Sequence, residues 1–371
     1  MKTKLREVHG EPSVRIASDL VRLDVTPRCG MMAPVVFTLG ARKVQPYSLS
    51  PWKPSELKGA PDILRVLRGD FFCMPFGAGK TTPLPHGEPA SGTWDVIDAG
   101  PDRAELAIAV DKLTRGASVT KILTLLPGQT AVYIEHRIDG LSGRSSYGMH
   151  PVLQVPRAGG PYHLSSSRLK FGSTCPTNID GEGSKTRAAL APDQQFASLK
   201  SVPARTGDTI SLENYPHAPR SEDLVMLAPT GRIGWTALTL DGYVWISLRR
   251  TDDHPVTVLW LSNGGRDDLP WNGRHVRRIG IEDGCTYFHL GLEESRRNRL
   301  RKIGIETVRQ FSKTESTSLR NLHVVVAVPP GYGPVRNVKL GPDSVEITNS
   351  KGVKVSTPVD GTFLTQKGRT S

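Results

Sequence analysis

The sequence predicts an all-β protein built as a sandwich, and three observations carry that reading. The 371 residues include 37 glycines and 29 prolines, a turn-rich composition. Short apolar runs recur at intervals of about 8–12 residues, the rhythm of sandwiches and barrels. The alternation of strand and helix that marks nucleotide-binding folds is missing. A sandwich can exceed the usual domain length as one unit, so length alone does not demand two domains.

Taken in order, residues 14–24 and 32–39 read as opening strands. The YSLSPWKPSELKGAP that follows reads as a loop, because proline brings no ladder donor. Residues 93–99, 103–110, 118–126 and 130–138 are β-rich and separated by turn signals, which predicts an antiparallel meander. Residues 156–220 are polar, show little periodicity and read as simple decoration, with a regulatory or substrate-covering loop region as the alternative. Strand-like runs resume at 223–227, 233–240, 243–248 and 256–261, with Asp241-Gly242 as a hairpin turn. GLEESRRNRLRKIGIETVRQFS, residues 291–312, reads as the one helix: its glutamates come first and its arginines later, as the helix dipole favours, with Gly304 as a candidate break. Residues 322–328, 335–340, 344–348 and 353–359 close the chain as strands. The expected organisation is one domain over 1–320 and a strand extension over 321–371 packed on it.

The net charge of +12 raises the question of nucleic acid. The basic residues sit in short clusters (Arg249-Arg250, 274–278, 296–302) without the aromatic interleaving of an RNA-binding motif, so no nucleic-acid partner is expected. A nucleic-acid-binding β protein would instead need a continuous basic face and strongly salt-dependent binding. The opening MKTKLREVHGEPSVRIASDL lacks the apolar run of about 7–15 residues of a signal peptide, and no stretch of about 18 apolar residues occurs. The expectation is a cytoplasmic protein without a membrane partner. Cys29, Cys73, Cys175 and Cys285 lack paired C-x-x-C spacing and read as free thiols. Gly79-Lys80-Thr81 resembles the end of a phosphate-binding loop, but Met74 stands where its first glycine belongs. Neither H-E-x-x-H nor G-x-S-x-G is found, and Arg68-Gly69-Asp70 reads as a chance tripeptide.

Three stretches place a titratable residue among glycines, prolines and aromatics. LRGDFFCMPFGAGKTTPLPHGEPASGTW holds Arg68 and His86, SSYGMHPVLQVP holds His150, and RRIGIEDGCTYFHLGLEES holds Glu282. Singly each has a plain explanation, a structural histidine in a turn or a solvated carboxylate at a strand end. Together they carry more.

LRGDFFCMPFG followed by PHGEPASGTW resembles the Arg-Gly, Cys-x-Pro-aromatic-Gly and His-Gly segment of hexose-6-phosphate mutarotases, within the galactose mutarotase (aldose 1-epimerase)-like superfamily. SSYGMHPVL resembles the Gly-x-His-Pro segment carrying the second histidine of aldose 1-epimerases, and RRIGIED resembles the place of their glutamate. The resemblance implies a β-supersandwich with few short helices. It also implies a carbohydrate-binding, aldose 1-epimerase-like isomerase (a mutarotase) that interconverts α and β anomers of an aldose or aldose phosphate by acid/base ring opening. The alternative is a non-catalytic saccharide-binding protein of the same fold. HGEPASGTW departs from the His-Gly-Gly and His-Gly-Phe-Ala-Arg of the two groups, which leaves the sugar open.

By the same resemblance Glu282 is the base at the anomeric hydroxyl and His150 the acid at the ring oxygen, facing one cleft a sugar ring apart. His86 and Arg68 hold and polarise the sugar, Asp223 contacts its hydroxyls, and no metal or organic cofactor is required. The division is chemically reasonable, since a carboxylate raised by partial burial makes a base near neutrality and histidine donates there with little shift. Trp260, Trp94, Phe76 and Tyr147 are candidate platforms for the sugar's apolar face, and Asn263 a donor to a hydroxyl. A phosphate on the substrate would call for Arg68 with Lys80, Arg249 or Arg274.

Overall fold

The computed structural model describes residues 4–79, 84–180 and 184–365, and its regular structure is almost entirely antiparallel sheet. A nine-stranded sheet contains the predicted meander: Asp95–Ala99, Arg103–Ala109, Ser118–Thr124 and Ala131–Asp139 pair in sequence order. The strand Thr317–Ala327 follows, then Tyr243–Arg250, Ile233–Leu240, Tyr162–Ser166 and Asn214–Tyr215. Residue 320 lies inside one of these strands, so the sheet runs through the point where the extension was expected to start. A five-stranded sheet of residues within 6–44 packs into the same core.

The second large sheet has eight strands. Its centre is Ser221–Pro229, Val256–Asn263 and Arg278–Cys285, flanked by Leu169–Thr174 with Gln195–Phe196 on one side and Tyr147–Met149 with Phe72–Cys73 on the other; Val152–Gln154 also pairs with Arg278–Cys285. Every residue of Ser221–Pro229 and Arg278–Cys285 is buried. Strand alternation explains why. Val225, Leu259, Leu261, Ile279 and Ile281 join the core shared with the nine-stranded sheet. Leu224, Met226, Val258 and Trp260 face the other way, into a second core roofed by loops. That roofed face carries the candidate site.

Three expectations need correcting. Residues 14–24 form a hairpin, Glu11–Ala17 and Val21–Thr26, whose turn is braced by Ser18 Oγ accepting the Leu20 and Val21 N–H groups. The middle segment contributes real strands, Tyr162–Ser166 and Leu169–Thr174, one to each large sheet. The long helix is one α-helical stretch, Gly291–Arg296, a 3-10 turn at Arg301–Ile303 and the strand Arg309–Phe311. Asn298 (φ 48°) and Gly304 (φ 67°) adopt left-handed backbone, which no right-handed helix continues. The charge pattern was that of a helix, but the backbone turns twice.

Val335–Leu340, Ser344–Asn349 and Lys354–Pro358 form a separate three-stranded sheet. Val345, Ile347 and Leu364 pack with Trp235, Ile246 and Val324 on the outer face of the nine-stranded sheet. Among the described residues no helix is long and apolar enough to cross a membrane. The four cysteines are unpaired and buried.

Candidate active site

Glu282 lies in the middle of Arg278–Cys285 and faces the loop-covered side. Room for it comes from Gly280 two residues back: a Cβ there would stand 2.5 Å from Glu282 Oε1 and 3.0 Å from Trp260 Cβ. His150 reaches it because Tyr147–Met149 and Val152–Gln154 both pair with that strand while His150 and Pro151 fall between them. The His150 N–H is fixed by Phe71 O (2.9 Å) and Asp70 Oδ1 (3.0 Å), and its ring stacks on Phe71 with centroids 4.3 Å apart. His150 Nε2 then stands 3.3 Å from Glu282 Oε1.

His86 completes the group, its ring centroid 5.2 Å from that of His150. It has left-handed backbone (φ 59°) and is held from both ends, its N–H donating to Gly77 O and its carbonyl accepting from Met74 N–H. Gly87 after it admits no side chain, since a Cβ would meet Met74 O at 1.9 Å. Gly77 N–H donates to His86 Nδ1 (3.3 Å), so the neutral ring carries its proton on Nε2. Phe76 sits edge-on against His86, with centroids 5.0 Å apart.

The pair is buried, and burial disfavours both charged forms. It holds the Glu282 carboxyl well above the usual carboxylate range and pushes His150 down to about 3. Both shifts favour the uncharged pair, a protonated carboxyl beside a neutral imidazole. Burial also pushes His86 and His289 down, so both rings are neutral near pH 7.

These side chains line a cavity of about 560 Å³, together with Trp260, Trp271, Arg266, Asp180 and a wall of aliphatic residues. Trp260 is held by its Nε1–H donating to Glu222 Oε1 (2.6 Å), and His275 stacks on it at 4.8 Å. Ser262 Oγ donates to the other Glu222 oxygen, and burial pushes this carboxyl up to about 7 against the pull of Arg266. The Arg266 guanidinium lies 4.5 Å from the Trp271 ring centroid and binds Asp180 through two contacts, of 2.8 and 2.9 Å. His289 Nε2–H donates to Ile179 O (2.6 Å), so residues 177–180 of the supposed decoration form part of the cavity wall.

Four of the sequence candidates therefore meet at one cavity: Glu282, His150, His86 and Trp260. The other described candidates do not line it. Arg68 is buried with its guanidinium donating to the carbonyls of Val66, Val8 and His9. Asp223, one step along its strand from Glu222 and Leu224, points away and accepts from Ala189 N–H, Leu190 N–H and His217. Asn263 donates to Ala218 O and accepts from Arg277 N–H, while Phe76 stands behind the histidines. Trp94 and Tyr147 are core residues tied to Pro89 O and Asp253 O. Arg249 pairs with Asp283 between the sheets, Arg274 with Glu56 at the surface, and Lys80 lies outside the described residues. The separation also differs from expectation, since Glu282 and His150 are in direct contact instead of a sugar ring apart. Trp271, Arg266, Asp180, His289 and Glu222 escaped the sequence reading; Trp271 in the charged loop RDDLPWNGR was the one visible signal. Among the described residues no group of three or more His, Cys, Asp or Glu is arranged to hold a metal ion.

No protein-family model matches the sequence, and no match was found among curated proteins. Solved structures do match. A galactose mutarotase related enzyme from Lactobacillus acidophilus superposes with a TM-score of 0.56 at 10% identity, covering 84% of this chain and 97% of the other. A putative aldose 1-epimerase from Escherichia coli gives 0.55 at 14% identity over 85% of this chain and 99% of its own. An aldose epimerase homologue from Caenorhabditis elegans gives 0.54 at 11% identity over 85% and 99%. At such identities the likeness establishes the galactose mutarotase-like fold.

Proposed function

We propose that the cavity binds a saccharide and that Glu282 and His150 interconvert its anomers. The observation that carries this reading is the 3.3 Å contact between a carboxyl and an imidazole, both buried, on the wall of one cavity. The galactose mutarotase-like fold, shared with proteins described as mutarotases and aldose 1-epimerases, supports a sugar as the ligand.

Mutarotation opens a cyclic hemiacetal and recloses it on the other face. A proton leaves the anomeric hydroxyl while another reaches the ring oxygen, so the net proton count is unchanged. A pair holding one proton suits this. Transfer of the carboxyl proton across this contact to His150 leaves the carboxylate bare; Glu282 then accepts from the anomeric hydroxyl and His150 protonates the ring oxygen. After rotation about the bond beside the carbonyl, both transfers reverse. His86 offers its Nε2–H to a sugar oxygen, and Trp260 offers a ring face to the sugar's C–H edge. Phe71 and Asp70 keep His150 from swinging away.

The test is NMR exchange between α and β anomers across a panel of aldoses and aldose phosphates. Acceleration over buffer for at least one sugar is expected. Binding with unchanged exchange rates would favour a saccharide-binding protein without epimerase activity, and neither binding nor acceleration would remove the reading altogether.

A further inference from the structure

The two side chains best suited to grip sugar hydroxyls are used elsewhere. Arg68 donates to three backbone carbonyls, and Asp223 accepts from two backbone N–H groups and His217. Strand alternation puts Leu224, not Asp223, on the cavity wall. Pro61, Leu64, Leu67, Ile179 and Leu290 also line the cavity, so much of its lining is aliphatic.

The polar groups of the wall are mostly engaged with one another. Arg266 is bound to Asp180, His289 to Ile179 O, and Asn178 Oδ1 to Arg205. Beside the Glu282–His150 pair, His86 Nε2 is the clearest donor left among the described residues, with Thr177 and the Asn178 amide nitrogen, and His289 Nδ1 is an acceptor without a hydrogen-bond partner. A hydroxyl turned towards the aliphatic part of the lining meets no polar side chain among the described residues there, and a buried hydroxyl without a partner is costly.

We infer that the ligand is a hydroxyl-poor sugar, a 6-deoxyaldose, whose methyl and ring C–H edge lie against the aliphatic wall. Replacing the 6-hydroxyl by hydrogen turns the exocyclic carbon into a methyl continuous with the ring's apolar edge. That edge matches the aliphatic lining of Leu64, Leu67 and Leu224, while the anomeric hydroxyl and ring oxygen, the only atoms the chemistry needs, are kept. The inference rests on the proposed epimerase reading for the anomeric chemistry and on the wall alone for the choice of sugar.

The test compares matched pairs that differ by one hydroxyl: D-fucose with D-galactose, 6-deoxy-D-glucose with D-glucose, and L-rhamnose with L-mannose. Anomer exchange gives kcat/KM, and tryptophan fluorescence, reporting from Trp260 and Trp271, gives binding. A preference for the deoxy member of about fivefold or more in at least one pair is expected, the scale of one unpartnered buried hydroxyl. Preferences below that in all three pairs overturn the inference while leaving mutarotation intact. If no sugar is turned over, the binding ratios still decide: a deoxy preference keeps the ligand class while the epimerase reading falls, and its absence removes both. Leu64→Asn adds a donor and an acceptor at a partly exposed wall position and is expected to narrow the ratio. An unchanged ratio in Leu64→Asn would mean that the wall does not set the preference.

Discussion

Glu282 and Asp283 are adjacent acids on one strand, both buried, and they have opposite surroundings. Asp283 points into the space between the two large sheets and is fully partnered. It meets Arg249 at 3.0 Å and accepts from Ser247 (2.5 Å), Thr257 (2.6 Å) and Asn321 (3.4 Å). Glu282 points to the loop-covered face and has His150 alone, at 3.3 Å. A buried charge that ties two sheets together must be saturated with partners. A buried carboxyl that is to exchange protons must keep a coordination place open. One residue of register separates the two situations.

Substitutions at the two positions should separate accordingly. The largest effect is expected for Glu282→Gln, which keeps shape and removes the base: a loss of about 10²–10⁴ in anomer-exchange rate with a melting temperature close to that of the parent. Loss of stability in step with activity would show that Glu282 is structural, like its neighbour. Asp283→Ala is expected to behave in the opposite sense, leaving Arg249 buried without its countercharge and costing about 3–5 kcal/mol of stability in denaturant unfolding. Gly280→Ala probes the open space itself. Its Cβ would press on Glu282 Oε1, and a displaced carboxylate is expected to cost about tenfold in rate, read against a small change in unfolding midpoint.

The smallest expected effect is a pH slope. Because His150 is pushed down to about 3 in the folded chain, the unfolded chain binds a proton below about pH 6.5 that the folded one refuses. Its contribution is thus present above pH 6.5 and lost as pH falls towards 3. His254 and His323, buried elsewhere, act in the same sense, while Asp70 and Glu222, raised to about 6 and about 7, act against it. His150→Gln should reduce the fall in stability between pH 6.5 and 5 by about 1.4 kcal/mol per pH unit. An unchanged slope would place His150 in contact with water.

The outer strands of the fold were legible because they alternate between water and core. Glu135 and Arg137 are partly exposed between buried Ile134, His136 and Ile138, and the meander around them was readable to within two residues. Arg278–Cys285 was not read as a strand because Gly280, Gly284 and the adjacent acids Glu282 and Asp283 interrupt its apolar run, whereas the equally buried Val256–Asn263 shows a continuous one. The false helix at 291–312 came from charge pattern, which reports solvent exposure more than backbone path. The site was legible where a histidine stands beside a glycine or proline, as at His86-Gly87 and His150-Pro151, the first of which has left-handed backbone. Its gripping side chains were not, because Arg68 and Asp223 satisfy nearby backbone groups and only the fold reveals which way they point. Trp271, Asp180 and His289 reach the cavity from loops whose positions depend on long-range packing.

The three-stranded sheet at residues 335–358 covers Trp235, Ile246 and Val324 on the far side of the molecule. It follows in sequence the very strands it covers, so during synthesis it emerges after them. A nascent chain that has already assembled its nine-stranded sheet still carries an open apolar face until residues 335–364 have left the ribosome. The sheet that backs the cleft can thus be assembled while the opposite apolar face still awaits its cover.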